Sequence, residues 1–174
     1  MAHINIEIKA KSNQHERIRR YLHSHHALHK GTDHQIDTYF NTPNGRLKLR
    51  EGNIENTLIH YERNDQEGPK KSRVILYHPT PNSSLKELLV KSNGIKVVVD
   101  KIREIYFIEN VKFHLDKVEK LGTFVEIEAI QSEQHNTEAD LQTQCEFYMK
   151  AFEIKKEDLI SVSYSDMMLD GTDL

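Results

Sequence analysis

Short stretches in which charged and aliphatic residues take strict turns are the feature that most constrains this chain. Arg46, Lys48 and Arg50 alternate with Leu47 and Leu49; Lys101 and Arg103 flank Ile102; Lys112, His114 and Asp116 alternate with Phe113 and Leu115. Glu126 and Glu128 alternate with Val125 and Ile127, and Tyr61 and Arg63 share one face of their stretch. The first such run sets Ile4, Ile6, Ile8 and Ala10 against His3, Asn5, Glu7, Lys9 and Lys11. Successive side chains of a strand point to opposite faces, so each run is a strand with one charged and one apolar side. Taken singly, each reads as a half-buried strand with its charges in water. Taken together, five strands carry basic residues on one face, and like charges on neighbouring strands repel unless something neutralises them. A barrel with its charged faces inward, gathered around a polyanion and a divalent metal, answers that repulsion.

The remaining punctuation fits a meander. Strands are expected over 3–11, 35–41, 45–51, 56–64, 72–78, 95–108, 111–118 and 122–131, with a hairpin at Thr42-Pro43-Asn44-Gly45 and a turn at Glu109-Asn110. A helix is expected over 13–29, capped by Ser12 and ended by Gly31. A short one follows Ser83 or Ser84, and an amphipathic one covers 137–152. A last short helix or turn covers 156–169. Hairpin-length links favour an antiparallel, closed or nearly closed barrel with a few helices, in one domain over 1–174. Hydrophobic residues are only 37% of the chain, and charged ones 29%, so part of the interior is expected to be polar. The net charge of -3 gives no reason to expect nucleic acid or a membrane surface. One cysteine, Cys145, and no long apolar run point to a cytoplasmic protein.

Phosphoryl chemistry is mostly positioning and charge stabilisation, and arginine forks and lysines suit phosphate oxygens. Mg²⁺ and Mn²⁺ prefer oxygen ligands, and Glu126 and Glu128, two apart on one strand, point the same way and are placed to share one ion. His114 shares a face with Lys112 and Asp116, where a proton carrier and a hydrogen-bonding structural residue fit equally well. Tyr39 and Tyr61 suit packing against a base or a thiazole ring, although lining aromatics more often simply pack. Five histidines lie within 13–29, with His25 and His29 four apart; a solvated face is expected there rather than a metal site. The run Lys70-Lys71-Ser72-Arg73 is expected to be a solvated loop.

Several of these motifs resemble a known family. Asn5-Ile6-Glu7-Ile8-Lys9 resembles the E-x-E-x-K signature of CYTH proteins, the triphosphate tunnel metalloenzymes, with Asn5 in place of its first Glu. Gln35-Ile36-Asp37-Thr38-Tyr39-Phe40, Gly45 to Glu51, Tyr61-Glu62-Arg63 and Asp100-Lys101-Ile102-Arg103 are similar to the class IV adenylate cyclase-like branch. So are His114 to Val118, Leu121 to Glu128 and Ser163-Tyr164-Ser165-Asp166. The resemblance implies a mainly β fold: an eight-stranded antiparallel tunnel with a polar lumen and helices packed outside. It implies Mg²⁺ or Mn²⁺ held by Glu7, Glu126 and Glu128 with Asp116, and an amide oxygen from Asn5 where a carboxylate is expected. It implies phosphate contacts at Lys9, Arg46, Lys48, Arg50, Arg63, Lys101, Arg103 and Lys112. Lys11, Tyr39 and Tyr61 complete the expected substrate contacts, and Lys9, Arg50 and His114 are the residues expected to act in the reaction.

The partner expected is a triphosphate-containing small molecule, with no nucleic acid and no membrane; a homodimer is compatible with the sequence. Metal-dependent hydrolysis of an inorganic, thiamine or nucleoside triphosphate is favoured, because it demands least of the site and no adenine-binding motif stands out. Cyclisation of ATP to cyclic AMP and pyrophosphate uses the same phosphate grip. Asn5 is the one feature that favours a third reading, a non-catalytic triphosphate or polyphosphate binder.

Overall fold

The alternating stretches are strands, and they close on one another. The structure, a computed structural model, describes residues 2–171; Met1 and residues 172–174, the ends of the expected domain, lie outside the described residues. Eight strands form a closed barrel: β1 (His3–Lys11), β2 (Leu28–Phe40), β3 (Arg46–Glu51), β4 (Asn56–Arg63), β5 (Lys70–Tyr77), β6 (Ile95–Ile108), β7 (Val111–Val118) and β8 (Gly122–Ile130). Their order around the wall is β1-β5-β4-β3-β2-β6-β7-β8, and β8 pairs with β1 to complete it. Every pairing is antiparallel. Four helices accompany the barrel: α1 (His15–Ser24), α2 (Leu85–Asn93), α3 (Glu138–Ala151) and α4 (Tyr164–Asp170). No helix among the described residues is long and apolar enough to cross a membrane.

The larger apolar core lies outside the barrel. Ile6, Ile8 and Ala10 of β1, Phe113 and Leu115 of β7, and Val125, Ile127 and Ala129 of β8 pack against Ile18 and Leu22 of α1 and Leu141 and Cys145 of α3. Burying these side chains is the main favourable term for the wall, and it forces their charged neighbours, one residue away in each strand, into the lumen.

Five expectations about elements are corrected. The helix expected over 13–29 ends at Ser24. His26 takes the left-handed conformation (φ 57°), Ala27 N–H donates to Leu22 O and His26 N–H to His23 O, which is a Schellman ending built on histidine rather than glycine. Ser12 Oγ accepts from Gln14 N–H at 3.1 Å but is not the N-cap residue, which is Gln14. Gly31, expected to stop the helix, lies inside β2, where the register with β6 shifts between His29 and Gly31. Its φ of 139° and the approach of Ile54 Cδ1 to within 2.7 Å of where a Cβ would stand account for glycine there. β2 therefore starts at Leu28 rather than 35, and β5 starts at Lys70 rather than 72.

One end of the barrel is covered by the chain after α3. Leu159 bridges to Ala10, Ile160 N–H donates to Lys9 O at 2.9 Å, and Lys70 Nζ donates to Ser161 O at 2.7 Å. Asp166 accepts from Arg46 at 2.6 Å, and the Tyr164 hydroxyl donates to Asp116 at 2.8 Å. Ser163 and Asp166 form a capping box that fixes the start of α4. At the other end Leu76 and His78 are exposed, and the lumen opens there.

Candidate functional site

The barrel encloses a cavity of about 200 Å³ lined by the inward faces of all eight strands. Register sets its geometry. Glu7 of β1 faces Glu128 of β8, and Lys9 faces Glu126. On the other side of β8, Lys112 pairs with Glu128 and His114 with Glu126. Lys101 and Arg103 enter from β6, Lys48 and Arg50 from β3, Tyr61 and Arg63 from β4, and Tyr39 from β2. Fourteen of the candidate residues therefore meet in one space: Asn5, Glu7, Lys9, Tyr39, Lys48, Arg50, Tyr61, Arg63, Lys101, Arg103, Lys112, His114, Glu126 and Glu128.

Three candidates stand elsewhere. Asp116 is fully buried behind Arg103 rather than in the cavity lining. Arg46 lines a separate recess with Ser165 and is paired to Asp166 and Asp65. Lys11 is exposed and borders an outer recess with Met167 and Met168.

The cations are held by two layers of carboxylates. Asp37 and Asp116 form a buried rear layer. Arg50 grips Asp37 through Nε and Nη2 at 2.9 and 2.8 Å, and Lys101 Nζ adds a contact at 2.5 Å. Arg103 grips Asp116 at 2.7 and 2.6 Å. Burial raises the carboxyl of Asp37, but Arg50, Lys101 and Lys48 outweigh it and hold it well below the usual range. The front layer faces the cavity. Glu126 meets Lys9 at 3.5 Å, Arg103 at 3.4 Å and His114 Nδ1 at 3.0 Å. Arg63 donates to Glu7, and Asn5 Nδ2 donates to Glu128.

These surroundings perturb the titrating groups. Burial, with Arg63 and Lys48 nearby, lowers Lys9 to about 8, against the pull of Glu126 and Glu7. His114 is pushed down to about 4 by burial and Arg103, so the imidazole is neutral at neutral pH, and its Nε2 has no hydrogen-bond partner. Glu128 moves the other way, up to about 7, through burial and the nearby Glu7, Glu126 and Glu55, although Lys112 opposes it.

The donor set suits a hard divalent ion. Glu7, Glu126 and Glu128 are carboxylates on adjacent strands, and the buried Asn5 Oδ1 is an acceptor with no donor. The raised pKa of Glu128, buried among other carboxylates, is what a bound cation would relieve. Among the described residues no three such side chains are already gathered as a metal cage, because Arg63 holds Glu7 and Arg103, Lys9 and His114 hold Glu126. The helix-borne histidine pair does not exist: His25 stacks on Tyr21, while His29 belongs to β2 and stacks on Tyr106.

Some site residues escaped sequence reasoning. Lys70, expected in a solvated loop, is 1% exposed and bonded to the tail, because it is the first residue of β5 and faces inward beside Glu7. Asp37 shares a strand face with Gln35 and Tyr39, so the same alternation carried its signal. Glu55 sits in the β3–β4 connection, where no periodicity exists to point at it. Tyr164 covers Lys9, whose Nζ lies 3.8 Å from the ring centroid.

A closed eight-stranded antiparallel barrel with a lumen of paired cations and carboxylates defines a tunnel protein. The CYTH domain family model matches residues 3–164, and the chain belongs to that family. It is 30% identical over 139 residues to the Methanocaldococcus jannaschii protein named "Putative adenylate cyclase MJ0240", covering 76% of this chain and 75% of that one. Among solved structures, a Pyrococcus horikoshii OT3 protein superposes with a TM-score of 0.75 at 25% identity, covering 93% of this chain and 98% of its own. A Hippeastrum protein described by its dominant triphosphatase activity shares the fold, with a TM-score of 0.64 at 16% identity over 97% and 96% of the two chains.

Proposed function

We propose that this protein is a divalent-metal-dependent enzyme that hydrolyses a triphosphate compound bound inside the barrel. The observation that carries this reading is the convergence of Lys9, Lys48, Arg50, Arg63, Lys101, Arg103 and Lys112 on one cavity. Arg50, Arg63 and Arg103 present planar forks that match phosphate oxygens, and the lysines add point charges that track the chain. The rear aspartates fix Arg50, Lys101 and Arg103, so these donors are oriented before the substrate arrives. Lys9, stacked on Tyr164 and weakly basic for a lysine, donates to a phosphate oxygen beside Glu126. His114 donates from Nδ1 to Glu126, which leaves the unpaired Nε2 as a hydrogen-bond acceptor that can orient an attacking water. Glu7, Glu126, Glu128 and Asn5 Oδ1 would hold Mg²⁺ or Mn²⁺, whose chemistry is to polarise phosphoryl oxygens and acidify water.

The second reading, cyclisation of ATP to cyclic AMP and pyrophosphate, draws support from one feature. Ile59, Val74, Leu76 and Ile130 give the open end of the cavity an apolar side that an inorganic triphosphate does not use. An organic group of either a nucleoside or a thiamine triphosphate suits that side. Product analysis decides. The protein is incubated with ATP, thiamine triphosphate and tripolyphosphate, with Mg²⁺ or Mn²⁺. Free phosphate is expected. Cyclic AMP with pyrophosphate would replace this reading by the cyclase, and binding without turnover would replace it by the non-catalytic binder.

A further inference from the structure

Four carboxylates line the cavity: Glu7, Glu55, Glu126 and Glu128. Three of them form the donor set considered above for a metal. Glu55 has no part in that set. It projects from the β3–β4 connection, with 16% of its side chain exposed, into the part of the lumen where the cations are closest to the open end. Lys112 Nζ donates to its Oε2, Gln35 Nε2 donates to its Oε1 at 2.9 Å, and Arg50 Nη1 reaches Oε1 at 3.5 Å. Two cations and an amide thus converge on one internal anion, as they would on a phosphate group.

The loop does not need this side chain to hold its shape. Asp33 Oδ1 accepts from the N–H groups of Asn53 and Ile54 at 2.6 and 3.0 Å, and Asp33 Oδ2 accepts from that of Glu55 at 3.0 Å. Asp33 is fully buried, and Gly52 lies so close that a Cβ there would stand 2.5 Å from Oδ2. The backbone around Glu55 is clamped, and its carboxylate is delivered to a fixed place. Burial tends to raise that carboxyl, but Arg50, Lys112 and His114 outweigh it and keep the group ionised.

We infer that Glu55 is a specificity-determining residue: a resident anion that occupies the last phosphate position of the lumen and so limits the number of phosphate groups the tunnel accepts. Its fixed negative charge competes with substrate for Arg50 and Lys112 and repels any further phosphate at that level. Beyond it the lining turns to Ile130 and Leu76 with His3 and His78, and carries no lysine or arginine. The inference rests on the reading of the lumen as a phosphate site.

The experiment measures binding of phosphate, pyrophosphate, tripolyphosphate and tetrapolyphosphate by calorimetry in EDTA, for the wild type, Glu55→Gln and Glu55→Asp. In the wild type, affinity is expected to rise with chain length and then level off. In Glu55→Gln the levelling point is expected to move up by one phosphate, with at least a tenfold gain for the first chain beyond the wild-type limit. Glu55→Asp, which keeps the charge, is expected to keep the wild-type limit. Should Glu55→Gln not fold, Glu55→Ala carries the same expectation, because Asp33 holds the loop through its backbone. A purely structural ion pair predicts the same length profile in all variants, whatever their absolute affinities, and that result overturns the inference alone. No binding by any protein, in EDTA or in a repeat with Mg²⁺, overturns the phosphate-site reading and the inference with it.

Discussion

Glu126 and Glu128 stand two apart on β8 and meet opposite surroundings. Glu126 is held ionised by Arg103, Lys9 and His114 despite burial, whereas Glu128 is raised to about 7 by burial and by the carboxylates around it. Glu128→Gln mimics the protonated side chain and is expected to leave the melting temperature within about 1–2 °C of wild type. Glu126→Gln removes the counter-charge of two cations and is expected to cost about 1–3 kcal/mol of stability. Both are expected to cut turnover at least about a hundredfold, followed by phosphate release alongside circular dichroism. Unchanged turnover in both would remove them from the site.

Lys70 offers a separate test through pH. Burial first, and Arg63 next, lower its amine to about 8, whereas the unfolded chain keeps the ordinary value of 10.5. Between pH 8 and 10.5 the unfolded state therefore holds a proton that the folded state has released, and the contribution of Lys70 to stability rises with pH across that window. Lys70→Met is expected to remove that increment, so the difference in stability between pH 8 and pH 10 should be smaller than in wild type by denaturant titration. An identical slope in both proteins would mean that Lys70 titrates as an exposed lysine.

At the scale of elements, the loop over residues 52–55 is the tightest piece of local design. Asp33 receives three backbone N–H donors from it and a fourth bond from Gln35 Nε2 at 3.0 Å. Because these bonds pin the carboxylate, it cannot move away from a methyl group placed on Gly52. Gly52→Ala is expected to cost about 1–3 kcal/mol, seen as a fall of several degrees in melting temperature. A neutral Gly52→Ala would show that Asp33 is free to swing. Elements were legible in proportion to their periodicity. All eight strands were expected, some from alternation and some from the turns that bound them, but β2 was expected to start too late and the first helix to run too far. Its end is set by His26 in a left-handed conformation and by the hydrogen bonds of a Schellman turn, for which histidine is an uncommon residue.

For the whole molecule, the unusual feature is a polar interior inside an apolar girdle. The helices α1 and α3 bury the outer faces of β1, β7 and β8, so the lumen is free to hold charge. Without ligand, cations and carboxylates in the lumen neutralise one another through pairs such as Arg63 with Glu7 and Lys101 with Asp37. A polyphosphate that binds only the native barrel stabilises it by mass action. Tripolyphosphate is therefore expected to raise the melting temperature clearly more than monophosphate at matched ionic strength. Arg50→Ala is expected to shrink the tripolyphosphate shift. Equal shifts for the two anions would count against the tunnel as a phosphate site.

The sequence by itself determined which residues share a strand face. A strand has a two-residue period, so local pattern alone sets Lys48 with Arg50, Lys101 with Arg103 and Glu126 with Glu128, each pair opposite an apolar face, and only the repetition of that pattern over several strands pointed those faces inward. Only the tertiary structure decided which of those residues meet. Arg46 and Lys11 obey the same alternation as their neighbours, yet each lies too near the end of its strand to reach the cavity. Asp116 obeys it too, but Arg103 and Tyr164 close over it. Glu55 belongs to no periodic segment and enters the lumen through a loop bent by Asp33, some twenty residues distant in sequence. Periodicity reports direction within one element; position along the tunnel is fixed by strand register and by long-range hydrogen bonds, and neither is written in any single stretch of the chain.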